Sequence, residues 1–379
     1  MWRCLFLLAL LLGGLPVPGH AGAARAGSAA GDAELVARIE SFVEAEMKRQ
    51  QVPGVAIAVV RGDEALLARG FGLGNVEWNA PVSARTVFQS GSVGKQFTAL
   101  LVMRLVESGK LGLDDPLTRF FPDAPAGWAR ITVRHLLTHT SGIPEYTEGL
   151  IDLRHDYSED ELLHFAFAFK PDFGPGASWK YSNTGYVLLG IVIRRVSGRY
   201  YGDLLAEQVF RPLGMPQARI IDEAAIVPER AAGYRLVDGA LLNQEWVAPK
   251  INTTADGSLY LTLEDMLAWD RGLRAGALLS PAGWKTIYTP VTLNDGSRHP
   301  YGFGWMVDRA AGAMRYHHTG SWQGFKTAIA RYLGADLSII VLSNLAEARP
   351  ARFVDGIARL IDPALADPPV EAPPDEDGS

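Results

Sequence analysis

Between Ala33 and Gln50 apolar residues recur at helical spacing, with Leu35, Ile39, Phe42 and Val43 on one side, which predicts a helix. Two apolar runs follow, Gly54 to Val60 and Glu64 to Gly70, joined by Arg61-Gly62-Asp63, and they read as a β-hairpin. Ser90 to Ser108 is apolar nearly all round (Phe97, Leu100, Leu101, Val102, Met103, Leu105, Val106), so this helix is expected inside the protein and not on its surface. From about Leu111 to Pro300 helical stretches (Val133 to Leu137, Glu159 to Phe169, Thr184 to Val196) alternate with loops rich in Pro and Gly. Strand patterns return at Tyr301 to Val307, Lys326 to Tyr332 and Leu337 to Leu342, and a last helix is expected over Arg352 to Ile361. Strands at both ends and helices between them predict an α/β (α+β) fold: one antiparallel sheet built from both chain ends, flanked by helices, with a mainly helical lobe inserted at about 111–300.

The extremities differ from this core, which is expected to span 33–362. Arg3 followed by the apolar run Leu5 to Val17 and by Ala21-Gly22-Ala23 reads as an export signal over 1–23. A membrane anchor is the competing reading, but the run is shorter than the roughly 20 residues a spanning helix needs. Residues 24–32 read as a flexible tether, and the acidic, proline-rich stretch 363–379 as a disordered tail. The lone cysteine, Cys4, falls inside the expected signal, so the mature chain is expected to hold no disulfide, thiolate metal site or cysteine nucleophile. A secreted, periplasmic setting follows as the expectation. A net charge of −6 supplies no basic stripe, which argues against a nucleic-acid partner.

Three short motifs carry chemistry. Ser92-Val93-Gly94-Lys95 opens the buried helix, and positions i and i+3 share a helical face, so the amine can reach the hydroxyl. Serine is a weak nucleophile without a base beside it, and a buried lysine can serve because desolvation disfavours the ammonium form. Taken alone, the same four residues equally describe a helix-capping serine and a surface lysine. In Tyr181-Ser182-Asn183 the phenol can relay a proton, and the Asn183 amide offers a donor and an acceptor to the lysine and to a substrate carbonyl. A loop tyrosine and a helix cap would explain the same letters. In His318-Thr319-Gly320, at an expected strand edge, the Thr319 hydroxyl suits a substrate carboxylate and Gly320 permits close approach. The backbone N–H groups of Ser92 and Ser321 would then form an oxyanion hole. Otherwise the third motif is a turn with packed histidines.

In this order the motifs resemble those of the penicillin-recognising serine enzymes, the β-lactamases and penicillin-binding proteins. Class A members pair S-x-x-K with S-D-N and K-T-G; the Y-S-N and H-T-G found here are similar to the class C branch, with its D-alanyl-D-alanine carboxypeptidases and related esterases. Ile131 to Gly142 and Asp256-Gly257-Ser258-Leu259 are similar to the same family. The resemblance implies an acyl-enzyme at Ser92, proton traffic through Lys95 and Tyr181, substrate positioning by Asn183, and a far wall of His318, Thr319 and Gly320. It implies no cofactor and no metal, and as partner a cell-wall peptide, a β-lactam or an ester. Class C β-lactamases carry lysine where His318 stands, and a histidine is mostly neutral at pH 7. Efficient β-lactam hydrolysis is therefore less expected than carboxypeptidase action, with esterase or amidase action and a non-catalytic binding protein as alternatives. A metal hydrolase lacks its H-E-x-x-H, and an α/β-hydrolase would need glycine where Ser90 stands.

Overall fold

The computed structural model describes residues 29–366. The expected signal at 1–23 and most of the expected tail lie outside these residues. The first helix, α1 (Ala29–Gln50), starts within the stretch expected to be a tether. It buries Ile39 and Val43 completely. Strands β1 (Gly54–Arg61), β2 (Glu64–Asn75) and β3 (Ala80–Pro81) follow. Ser92 then lies in a 3-10 turn, Gly91–Gly94, that runs into helix α2 (Lys95–Glu107).

After a long middle segment the chain returns as β4 (Met306–Ala310), β5 (Ala313–Trp322), β6 (Phe325–Tyr332) and β7 (Leu337–Ser343). These strands and the first three make one seven-stranded sheet of order β4-β5-β6-β7-β1-β2-β3. β1 pairs antiparallel with β7, so the two chain ends meet in the middle of the sheet, as the strand pattern predicted.

The nearly unbroken apolar run of β1 has a structural cause. Ala56 and Ala58 face one hydrophobic core, whereas Val55, Ile57 and Val59 face a second one on the other side. In β7 Ile340 and Leu342 face the first core, Ile339 and Val341 the second. A strand covered on both faces needs no polar alternation. The second core is closed by α1 and the last helix, Pro350–Ile361, which pack on each other. Leu365, at the start of the expected tail, is buried there too.

The middle segment carries helices Val133–Leu137, Glu159–Ala168 and Asn183–Ser197 close to the expected positions, and a further helix, Leu263–Arg274, that was not among those expected. It is less purely helical than expected, because a hairpin pairs Tyr234–Val237 with Ala240–Asn243 and a small sheet joins Phe88–Gln89, Leu259–Leu261 and Arg219–Ile220. The strand expected from Tyr301 begins only at Met306. Tyr301 to Trp305 instead packs as a loop: Tyr301, Phe303 and Trp305 are buried, and Gly304 adopts φ +74°. A Cβ on Gly304 would stand 2.9 Å from the Lys95 carbonyl, so alternating glycines let this aromatic run press on the start of α2.

Candidate active site

The nucleophile candidate sits on a turn tied down from three directions. Ser90 N donates to Leu259 O at 2.8 Å and Ser90 Oγ to Gly257 O at 2.7 Å, while Thr327 Oγ1 of β6 donates to Ser90 O at 2.6 Å. Gly91, at φ +50°, and Gly320 make the close approach to β5 possible. A Cβ on Gly91 would strike Ser321 N, and one on Gly320 would strike Ser90 O and stand 3.1 Å from Ser92 N. The turn and the third motif are thereby packed backbone to backbone.

Lys95 is fully buried, and its Nζ lies 3.0 Å from Ser92 Oγ. It also donates to Asn183 Oδ1 at 2.5 Å and to the main-chain carbonyl of Asp256. The rings of Tyr181 and Tyr186 stand 4.9 and 5.4 Å from the ammonium, a cation–π setting. Asn183 owes its place to helix geometry: Ser182 caps the helix by accepting from Gly185 N at 3.1 Å, which puts Asn183 in the first turn.

Its amide orientation is fixed by Glu145, which the motif reading did not single out. Glu145 is buried, accepts from Asn183 Nδ2 at 3.0 Å, and also takes the Asn183 main-chain N–H. Thus Asn183 meets the lysine as expected, but one of its amide donors is held by Glu145. A carboxylate directly before Tyr146 in a Pro-rich loop gave no periodic signal.

Tyr181 lines the cleft beside Ser92, yet its hydroxyl is buried and has no hydrogen-bond partner among the described residues. It reaches neither Ser92 nor Lys95 by a direct bond, although the sequence reading makes it part of the proton path. Its loop is clipped to His139, whose carbonyl accepts from Lys180 N at 3.0 Å and whose Nδ1 accepts from Ser182 N at 3.1 Å. The His139 ring lies against Tyr181, with centroids 4.3 Å apart. Burial, reinforced by the Lys95 charge, holds His139 well below the ordinary histidine range, so it packs as a neutral ring.

His318 is buried as well, and burial together with the Lys95 charge pushes it down to about 3. Its Nδ1–H donates to Thr319 O at 2.6 Å, which leaves Nε2 to accept from the Tyr301 hydroxyl at 3.0 Å. His318 is thus a neutral structural pin and offers no charge to a substrate. Thr319 and Gly320 stand on a strand edge: β4 pairs with β5 only from Met306↔His317 to Ala310↔Ala313, so Thr319 to Trp322 lie beyond its end.

Two clefts meet at Ser92. One, of about 300 Å³, is lined by Gly91, Ser92, Asn183, Tyr146, Asp256 and Ser321. The other, of about 680 Å³, is lined by Ser92, Tyr181, Thr319, Gly320, Lys326 and Arg349. Ser92 and Ser321 border the first cleft together, which brings the two expected oxyanion donors to one place. Among the described residues no group of His, Cys, Asp and Glu side chains is arranged to hold a metal, and no helix is long and apolar enough to cross a membrane.

A family model described as Beta-lactamase covers residues 39–362, so the chain belongs to the beta-lactamase family. Penicillin-binding protein 4* of Bacillus subtilis is 30% identical over 82% of this chain and 72% of its own. A D-aminopeptidase of Gluconobacter oxydans is 28% identical over 81% of this chain but only 59% of its own length. The solved octameric penicillin-binding protein homologue of Pyrococcus abyssi superposes with a TM-score of 0.76 at 29% identity, covering 86% of this chain and 77% of its own.

Proposed function

We propose that this member of a beta-lactamase-fold serine hydrolase family cleaves a peptide bond next to a C-terminal carboxylate, in the manner of a D-alanyl-D-alanine carboxypeptidase. The supporting observation is the disposition of Lys95. Once it gives up one proton, the amine keeps two N–H donors and gains one lone pair. Asn183 Oδ1 and Asp256 O occupy two of its three contacts, and the third faces Ser92 Oγ at 3.0 Å. With both donors held, the lone pair points at the serine hydroxyl, which is what a general base requires.

In the first step Ser92 Oγ bonds to the carbonyl carbon while its proton passes to Lys95. The carbonyl oxygen takes the negative charge against the N–H groups of Ser92 and Ser321. The C–N bond then breaks, and the proton reaches the leaving amine by way of Tyr181, a residue that borders the same cleft. A water molecule next attacks the ester, and its proton follows the same path in reverse. The residues derived for each step are this chain's own, and none of them calls for a cofactor.

Two cations in the larger cleft favour a carboxylate on the leaving group. Lys326 and Arg349 border it with Thr319, and neither side chain forms an ion pair among the described residues. Burial pulls the Lys326 ammonium below its ordinary range, only partly offset by Glu347, so an incoming anion restores a charge balance that the fold leaves open. This supplies the positive charge that neutral His318 does not. Names of the relatives that refer to penicillin binding and D-aminopeptidase support a D-configured substrate.

The reading is tested with D-alanyl-D-alanine and its C-terminal amide, assayed on the wild type, Ser92→Ala and Lys326→Ala. Dipeptide turnover should disappear in Ser92→Ala, and Lys326→Ala should erase the preference for the free carboxylate. Equal cleavage of amide and acid by the wild type would instead favour an esterase or amidase of the same family. Turnover that survives Ser92→Ala would contradict the mechanism.

A further inference from the structure

The smaller cleft carries the opposite charge. Asp256 borders it beside Ser92, Asn183 and Tyr146, and is 8% exposed. Its Oδ2 accepts from the Tyr146 hydroxyl at 2.7 Å and its Oδ1 from the Thr254 hydroxyl at 2.6 Å. Both partners are neutral. Lys95 bonds the main-chain carbonyl of Asp256, and no lysine, arginine or histidine pairs with the carboxylate among the described residues. A carboxylate oxygen accepts two hydrogen bonds, so acceptor capacity remains on both atoms. A carboxylate this far buried is costly without a cation, and neutral hydroxyls only partly replace one.

Its position relative to the reacting atoms is narrow. Gly257, at φ +145°, packs so closely on the nucleophile turn that a Cβ there would strike Gly91 O and stand 3.0 Å from Ser92 N. Asp256 therefore adjoins the turn that carries Ser92. The α-amine of an amino-acyl group is attached one carbon away from the attacked carbonyl, so it remains close to Ser92 whenever that carbonyl is bound. Glu145, the other buried carboxylate nearby, already accepts four hydrogen bonds, from the two Asn183 donors and from Thr147 N and Oγ1.

We propose that Asp256 is a specificity residue that receives a free α-ammonium on the acyl side of the scissile bond, so that the substrate is a short peptide whose N-terminal residue is itself the acyl donor. The proposal rests on the Ser92 acyl-transfer reading. Taken with Lys326 and Arg349 on the other flank, the two ends of the site fit a zwitterionic dipeptide, its ammonium at Asp256 and its carboxylate at the cations.

The test compares kcat/KM for D-alanine p-nitroanilide and N-acetyl-D-alanine p-nitroanilide, which differ only in the charge of the amine. The wild type should prefer the free amine by about 10- to 100-fold, the span of one hydrogen bond to a charged group. That preference should fade as pH rises past the amine pKa of about 8. Asp256→Asn keeps an acceptor for Tyr146 and should collapse the ratio, chiefly through KM for the free amine. Equal wild-type rates on the two substrates overturn the proposal without any variant. An Asp256→Asn protein that slows both substrates by the same factor also overturns it, because that is the signature of a residue that only positions Lys95. If neither anilide is cleaved in a Ser92-dependent manner, the acyl-transfer reading itself falls and takes this proposal with it.

Discussion

Glu145→Gln isolates how the base is aimed. The glutamine has the same shape as Glu145 but one acceptor where two are used. Glu145 Oε1 accepts from Asn183 Nδ2 at 3.0 Å, Thr147 N at 3.0 Å and Thr147 Oγ1 at 2.7 Å, and Oε2 takes the Asn183 main-chain N–H. Whichever way the new amide turns, an N–H group meets another donor. The least costly arrangement sacrifices the Oε2 contact, a bond to a charged acceptor worth about 1.5–3 kcal/mol. Asn183 then shifts or rotates, and its Oδ1 no longer holds Lys95 at 2.5 Å. If all of that loss falls on the transition state, kcat drops about 10- to 100-fold with KM little changed, since each 1.4 kcal/mol is tenfold. Initial rates on the dipeptide, with a thermal melt of the same preparation, measure both parts. A Glu145→Gln enzyme with wild-type kcat and an unchanged melting temperature would refute the idea that Glu145 orients the Asn183–Lys95 pair.

Further predictions concern the frame of the site. His318 resists, in the folded state, a proton that the unfolded chain accepts at its ordinary pKa of about 6.5; its contribution is therefore whole above that pH and lost on acidification toward about 3. At pH 4.5 this residue alone should cost roughly 3 kcal/mol, with His139 acting in the same direction, and His318→Gln should flatten the pH dependence of urea unfolding. Gly320→Ala forces the nucleophile turn away from β5 and should lose most activity along with about 1–3 kcal/mol of stability, read from kinetics and chemical denaturation together. Asp270, fully buried, pairs with Arg274 at 2.7 Å and Arg331 at 3.3 Å; Asp270→Ala leaves Arg274 its pair with Asp336 but strands the Arg331 guanidinium, and should cost about 3–5 kcal/mol, visible as a large fall in melting temperature.

The parts of this architecture that were legible in the sequence are those fixed by local periodicity. The buried helix α2 and the meeting of both chain ends in one sheet follow from apolar runs that are buried almost throughout, and the hairpin of β1 and β2 from the Arg61-Gly62-Asp63 turn between two apolar runs, although β2 is only partly buried. Ser92 and Lys95 were legible because i,i+3 spacing brings them together, and Asn183 because of the family resemblance; the structure joins all three through hydrogen bonds. Tyr301 to Trp305 misled the reading because aromatic residues alternating with glycine mimic a strand, whereas here the glycines serve close packing against α2. Glu145, Asp256, Lys326 and Arg349 were invisible as site residues. Each is a single charged residue in a loop, on a strand or before a helix, and only the fold decides that it faces Ser92 or Asn183. The role expected for His318 also depended on burial, which no local pattern reveals.

The central claim, a Ser92 nucleophile activated by Lys95, is tested most directly by labelling the protein with a fluorophosphonate and locating the adduct by mass spectrometry. One adduct per chain is expected, on Ser92, absent in Ser92→Ala and formed far more slowly in Lys95→Ala. An adduct that persists in Ser92→Ala, or a wild-type labelling rate in Lys95→Ala, would contradict it.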